Sequence, residues 1–417
     1  MLKKIKIYLS IFSLFTCFFV CLSVKAQQGS VAASDEAQLR AALANPSFSV
    51  INITSKELTI TNVPLTVSRD IKFISEHDTC TLKVAGDFRH IFVSSADKVT
   101  LEFEKVELMG RGISVGDNEI SGGGIGVANE VSKLTLINAV IKSCICERGG
   151  ALASGSDVEI LGNNTLFSGN TAKYGGAINA NNIVMEGGVI SRNQAESGGG
   201  IYCNGRIFLN NGIIMNNRVQ RDGAGIYAAA EFHMSDGTII DNEARGKGGG
   251  VFMQDSASIS GGTIDNNVAV NGGGIYTNST LPISGYTQIT GNSAEVSGGG
   301  IYIQDIAGLT VEAEVVFSDN SAGAPYEQKE GINALHKKNI ATVSFTLPFK
   351  TLYNNADVSF LSSNAKEQQN SNTSNNKDRD STAEFIPPKT GDLLWGKILL
   401  LIAAVTGIVL VVRKKPA

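Results

Sequence analysis

Carboxylates and imidazoles are the groups in this 417-residue sequence with the means to activate water or hold a metal ion, and their spacing limits what they can do. Asp236, Asp241, Asp255, Asp265, Asp305 and Asp319 recur along one stretch; His77, His90, His233 and His336 are spread over the chain. Paired carboxylates flanking a glycosidic bond would hydrolyse it, and clustered aspartates on a cation beside a basic residue would support polysaccharide cleavage. Here the aspartates fall at different positions of the repeat set out below, so they do not stack into one pocket, and surface or packing roles outweigh catalysis. No metal and no other cofactor is expected. Glycine clusters raise a second chemistry, since GGGIYCNG at 198–205 has the composition of a phosphate-cradling loop. A dinucleotide fingerprint would need a preceding strand, a following helix and an acidic residue about 20 positions on. Instead the same punctuation returns as GGGIG at 122, GGAL at 149, GGAI at 175, GAGIY at 223, GGGVF at 248 and GGGIY at 272 and 298.

The residue before each aliphatic (Gly124, Ala151, Ala177, Gly200, Gly225, Gly250, Gly274, Gly300) recurs at spacings of 27, 26, 23, 25, 25, 24 and 26. A period of that length means a solenoid. Each unit holds the GG[GA][IVL] marker strand, a second strand such as VEIL, NIVM, RIFL or EFHM, and a third such as GGVISRN or DGTIIDN. Three short strands per turn of about 25 residues predict a right-handed, single-stranded parallel β-helix, all-β in class. The glycines are expected at turns that need a left-handed backbone or a missing Cβ. Asn170, Asn193, Asn217, Asn242, Asn267, Asn292 and Asn320 close successive third strands, where stacked amides hydrogen-bond the turn below and one another. From Ser49 to Phe360 the length allows roughly twelve coils, or about 60 Å of rod at about 4.8 Å per coil.

Aligned on the marker, Ile201, Ile226, Val251, Ile275 and Ile301 must face inward, and the residues after them outward. Those outward residues are Tyr202, Tyr227, Phe252, Tyr276 and Tyr302. The next outward positions carry Asn204, Ala229, Gln254, Asn278 and Gln304. Rings flanked by amides suit sugar recognition; rings that stack on one another would instead brace the rod.

The chain opens with Lys3, Lys4 and Lys6, an apolar run from Ile7 to Val24 and a small-residue exit, which reads as a signal peptide over 1–26 cleaved after Ala26. Residues 27–48 form a capping segment, whose stretch 34–46 carries a Ser or Asp cap, helical apolar spacing and a proline stop. The β-helix is assigned to 49–362, with 340–360 supplying one or two closing strands, and a polar spacer without apolar periodicity to 363–386. At 387–417 come Pro387, Pro388, Lys389, Thr390 and Gly391, an apolar helix over 393–412 of transmembrane character, and Arg413, Lys414 and Lys415. This order resembles the cell-wall sorting signals of Gram-positive surface proteins, whose pentapeptide is Leu-Pro-x-Thr-Gly, with Pro387 where leucine is usual. The resemblance implies that a sortase cuts between Thr390 and Gly391 and joins Thr390 to peptidoglycan.

The GG[GA][IVL] markers together with F/I-x-x-N, best matched by FSGN and GGAI over 167–178, resemble the polymorphic outer-membrane protein repeats over about 120–320. That resemblance implies an adhesin-like passenger displayed outside the cell. Cys80, Cys144, Cys146 and Cys203 are too few for a disulfide scaffold and read as small core residues. The net charge of -4 argues against nucleic acid. The function expected is therefore that of a wall-anchored, non-catalytic adhesin or glycan-binding rod, with sortase, peptidoglycan and a glycan or cell-surface ligand as partners. A wall-displayed polysaccharide lyase or hydrolase is the alternative.

Overall fold

The computed structural model describes residues 29–110, 122–128, 131, 133–305, 308–312, 314–323 and 357–360. They form an all-β, right-handed-type parallel solenoid of about ten turns, each of about 25 residues. One turn shows the construction. Ile226–Ala228 lies on the marker face, Phe232–Met234 on a second face and Thr238–Ile240 on a third. Each pairs in parallel with its counterpart one turn on, Ile226 with Val251, Phe232 with Ala257 and Thr238 with Thr263. Strand alternation sends every second side chain inward. Ile201, Ile226, Val251, Ile275 and Ile301 accordingly stack as one fully buried column.

Each repeat turn has a fourth strand that the three-strand reading missed. A separate eight-stranded sheet runs from Ile145–Arg148 to Ser321–Ala322 and makes a narrow fourth side. Its sequence signal lies two residues after each corner asparagine, at Ala172, Ala195, Val219, Ala244, Ala269, Ala294 and Ala322. Alanine, and once valine, stands there, and Ala195, Val219, Ala244 and Ala269 are buried in a small cluster separate from the main core. Cys146 takes this slot in the first such turn, and Cys144 takes the asparagine slot before it. Both thiols, with those of Cys80 and Cys203, are buried and unbridged.

The corner between third and fourth strands is built from the asparagines. Asn193, Asn217, Asn242 and Asn267 are fully buried. Asn217 Oδ1 accepts from the backbone N–H of Asn193 at 3.0 Å and from Asn193 Nδ2 at 3.0 Å. Its own Nδ2 donates to Asn242 Oδ1 at 2.9 Å and back to the Ile190 carbonyl at 3.1 Å. All four bonding positions of the amide are filled, which buried amides require. The residue before each asparagine takes the left-handed turn, as at Arg192 (φ 57°), Asn216 (φ 55°) and Asp241 (φ 55°). The expected glycine role also holds: Gly223 has φ 69°, and a Cβ on Gly225 would meet the Gly250 carbonyl oxygen at 2.5 Å.

The sheet begins earlier than the assignment from residue 49. Strand β1 (Gly29–Ala33) pairs in parallel with Phe48–Ile53, and helix α1 (Glu36–Ala44) lies between them. Asp35 caps α1 by accepting from the Gln38 N–H at 2.9 Å, and Leu39, Ala42 and Leu43 are buried. Arg69 takes the last helical carbonyls in hand, donating to Ala42 O at 3.2 Å and Asn45 O at 2.8 Å. An end lacking another coil needs such a cover.

The roughly twelve coils anticipated from length become about ten because single turns are lengthened. Ile91 pairs with Ile125, 34 positions on, and Ile301 with Val358, 57 positions on, both spacings longer than the ordinary repeat. Of the closing stretch 340–360, Val358–Phe360 forms a strand on Ile301–Ile303. The signal segment 1–26 with Ala26, the spacer 363–386, the pentapeptide Pro387 to Gly391 and the apolar run 393–412 lie outside the described residues. Among the described residues, no helix is long and apolar enough to cross a membrane.

Candidate functional site

The outward aromatic residues do form one column, because the strands that carry them are in exact register: Tyr202 pairs with Tyr227, Tyr227 with Phe252, Phe252 with Tyr276 and Tyr276 with Tyr302. Their ring centroids lie 4.5, 4.8, 5.4 and 4.9 Å apart, with interplanar angles between 5° and 26°. Tyr174 extends the column by one ring, edge-on to Tyr202 at 5.4 Å. The rise of a parallel sheet is close to the stacking distance of aromatic rings, so the register itself produces the stack.

This geometry limits the chemistry on offer. Ring faces are spent on one another, leaving Phe252 and Tyr276 only 6% and 7% exposed although they point away from the core. What reaches solvent is a line of ring edges and hydroxyls. Burial pushes the phenols of Tyr227 and Tyr302 up to about 12 and raises that of Tyr202, so all stay neutral hydrogen-bonding groups at ordinary pH. Gln254 Nε2 donates to the Tyr227 hydroxyl at 2.7 Å. Asn204, Gln254, Asn278 and Gln304 are all exposed along one margin of the column, as the alternation predicted.

The opposite margin was not anticipated. Lys247 Nζ lies 4.7 Å from the Tyr276 ring centre and Lys173 Nζ 5.4 Å from that of Tyr174. Arg148, in register with Tyr174, and Arg221 stand on the same side. The sequence signal was present, one or two residues ahead of several glycine markers, but it only becomes a row once the fourth strand is known.

Among the described residues, the aspartates and histidines singled out in the sequence are not brought together; His233 Nε2 lies 3.6 Å from Glu231. Asp236 accepts from the Gly237 N–H at 2.7 Å, Asp255 from the Ser256 N–H at 2.7 Å, and Asp265 from Thr290 Oγ1 at 2.7 Å, each on a different part of the surface. Asp241 and Asp319 occupy left-handed corners. His233 faces outward on the second face, stacked on Phe208 at 5.0 Å with Nδ1 2.8 Å from Ser258 Oγ. His90 is buried and His77 bonds the Thr54 carbonyl; His336 and its surroundings lie outside the described residues. Among the described residues, no group of three or more His, Cys, Asp or Glu is placed to hold a metal ion. A polar groove of about 700 Å³ lies on the early turns, where Asp70, Lys72, Asp97, Lys98 and Glu102 line it.

With the column and its margins in view, the comparisons with known proteins bear on the repeat that builds them. Residues 164–181 and 286–304 match the Chlamydia polymorphic membrane protein (Chlamydia_PMP) repeat. No curated protein and no solved structure matches the chain. The two matched stretches each join a third-strand asparagine corner to the following glycine marker, so the likeness is to the turn-building unit of the solenoid.

Proposed function

We propose that the chain is a surface-displayed, non-catalytic rod of the adhesin type, whose outward aromatic column is the contact strip for a glycan. The observation that carries this reading is the continuous strip itself: ring edges and hydroxyls in register over successive turns, bordered by exposed amides, on a solenoid with polymorphic membrane protein repeats. Sugars would meet this strip through hydrogen bonds to phenol and amide groups and through the ring edges, and not by lying on ring faces. The anchor is the sorting signal: Thr390 is the acyl donor to peptidoglycan, and the apolar run holds the precursor in the membrane until a sortase acts. The support for that part is the order of pentapeptide, apolar run and basic tail in the sequence.

Replacing Tyr227 and Tyr276 together by Ala should abolish retention on a glycan array while circular dichroism stays β-rich. Undiminished binding by the folded double variant would remove the strip as the site. Thr390→Ala should shift the protein from the peptidoglycan fraction to the membrane fraction, and an unchanged wall-bound fraction would rule out sortase anchoring.

A further inference from the structure

Several half-buried basic side chains of this chain are answered by a carboxylate. On the early turns Lys72 pairs with Glu102 and Glu104, Lys83 with Glu57, Lys133 with Glu159 and Lys142 with Glu107, at 2.5 to 3.0 Å. One position out from the aromatic column, Arg218 pairs with Glu243 at 3.0 Å and Arg245 bonds Gln220 at 2.9 Å. The margin of the column carries four basic side chains in sequence along the rungs. Arg148, Lys173, Arg221 and Lys247 are exposed, and none makes an ion pair among the described residues. Two of them, Lys247 and Lys173, lie 4.7 and 5.4 Å from ring centres of the column, contacts that leave their charge in place.

The acids on the same margin are Glu147, Glu196 and Asp222. Asp222 Oδ1 accepts from the backbone N–H of Lys247 at 2.8 Å and keeps its charge, so four cations against three acids leave the margin one net positive charge on a chain whose net charge is -4. From Arg148 to Lys247 the row crosses four rungs, about 20 Å, the reach of a short oligosaccharide. Free cations on one side, phenol hydroxyls in the middle and amides on the other side form a strip that matches a repeating sugar chain carrying carboxylate or sulfate groups.

Resting on the glycan reading above, we propose that the ligand of the strip is an anionic polysaccharide, held along its charged groups by Arg148, Lys173, Arg221 and Lys247 while ring edges and amides meet its hydroxyls. The pairing is between exposed charges, so it weakens as salt is added.

The test uses the purified full-length chain in detergent, applied to immobilised heparin, hyaluronan, uncharged dextran and duplex DNA. One variant combines Arg148→Gln, Lys173→Gln, Arg221→Gln and Lys247→Gln. A second, with the same change in charge, combines Lys72→Gln, Lys83→Gln, Lys133→Gln and Lys142→Gln, and circular dichroism verifies that both are folded. The proposal expects salt-sensitive retention on heparin or hyaluronan but not on dextran, weakened about tenfold or more in the first variant and within about twofold of wild type in the second. Which charged polysaccharide binds more tightly separates sulfate from carboxylate recognition. Dextran binding equal to that of the charged polymers, with both variants alike, would overturn the anionic assignment and leave the glycan reading intact. Retention on none of the polysaccharides would remove both. Tighter retention on DNA than on any polysaccharide would make the strip a nucleic-acid surface and overturn the proposal.

Discussion

Between Phe48 and Met109 the chain turns each corner with a different local solution, whereas from Cys144 to Ala322 it repeats one. The early turns have neither the asparagine column nor the fourth strand, and they carry their stability in large buried side chains such as Phe73 and Phe103, stacked at 5.3 Å, with ion pairs outside and α1 across the end. His90 shows the change of method. It stands one residue ahead of the marker strand Ile91–Val93, where later turns place glycine, and its fully buried ring fills the corner that an asparagine amide fills further on, with Nε2 3.1 Å from the Met109 carbonyl. A parallel β-helix therefore needs a filled corner, and the chemistry that fills it is free to vary. Only where the filler repeats does the sequence acquire a visible period.

The largest effect is expected from breaking the shared feature. Ile226→Asp would put an unpaired charge into the buried column and should cost on the order of 4 kcal/mol or more, spreading to neighbouring turns. A melting temperature equal to wild type would show that this position tolerates water. The next test separates the two corner chemistries. Asn217→Ala leaves the Asn193 donors, the Asn242 oxygen and the Ile190 carbonyl without their partner and should cost about 3 kcal/mol. The matched change at an early corner, Asn62→Gly, touches an exposed left-handed residue (φ 68°) and should stay within about 0.5 kcal/mol. Equal losses in chemical denaturation would mean that the amide column adds no stability of its own.

The smallest effect concerns His90. Burial holds its imidazole below the ordinary range, so the folded chain keeps it neutral while the unfolded chain takes up a proton. The unfolded state then binds more protons, and stability should fall as pH drops below about 6.5, by about 1 kcal/mol before carboxylates begin to titrate. His90→Asn should flatten the melting temperature between pH 7 and pH 5. A slope unchanged by the substitution would place its origin elsewhere.

Much of this was legible in the sequence. The glycine markers, the inward aliphatic column and the corner asparagines each repeat a residue type that only one position in a turn accepts, and the period exposes them. The fourth strand was not read because it spans as few as two residues, as at Gln194–Ala195, too short for alternation to register, although a small residue follows each asparagine at a fixed distance. Strand β1 was missed because GSVAA lacks the β-branched density of its partner. The outward rings were correctly placed, but their loss of free faces depends on rotamers and on the equality of rung and stacking distances, which no single residue announces. The basic margin stayed hidden for a related reason: Lys173 and Lys247 stand at different distances from their markers, and only the folded corner aligns them.

The parallel pairing also has a mechanical meaning. Every hydrogen bond between turns, including those of the buried amides, runs along the rod's axis, so a load applied between its two ends bears on successive turns one at a time. Each turn that peels away converts a rise of about 4.8 Å into about 25 residues of extended chain, roughly 85 Å at about 3.4 Å per residue. Tethered at one end and gripped at the other, such a molecule would act as a spool, yielding length in discrete steps while the turns not yet reached keep their shape. Pulled singly in a force spectrometer, it should show a sawtooth with that spacing; one long rip would mean that the turns fail together.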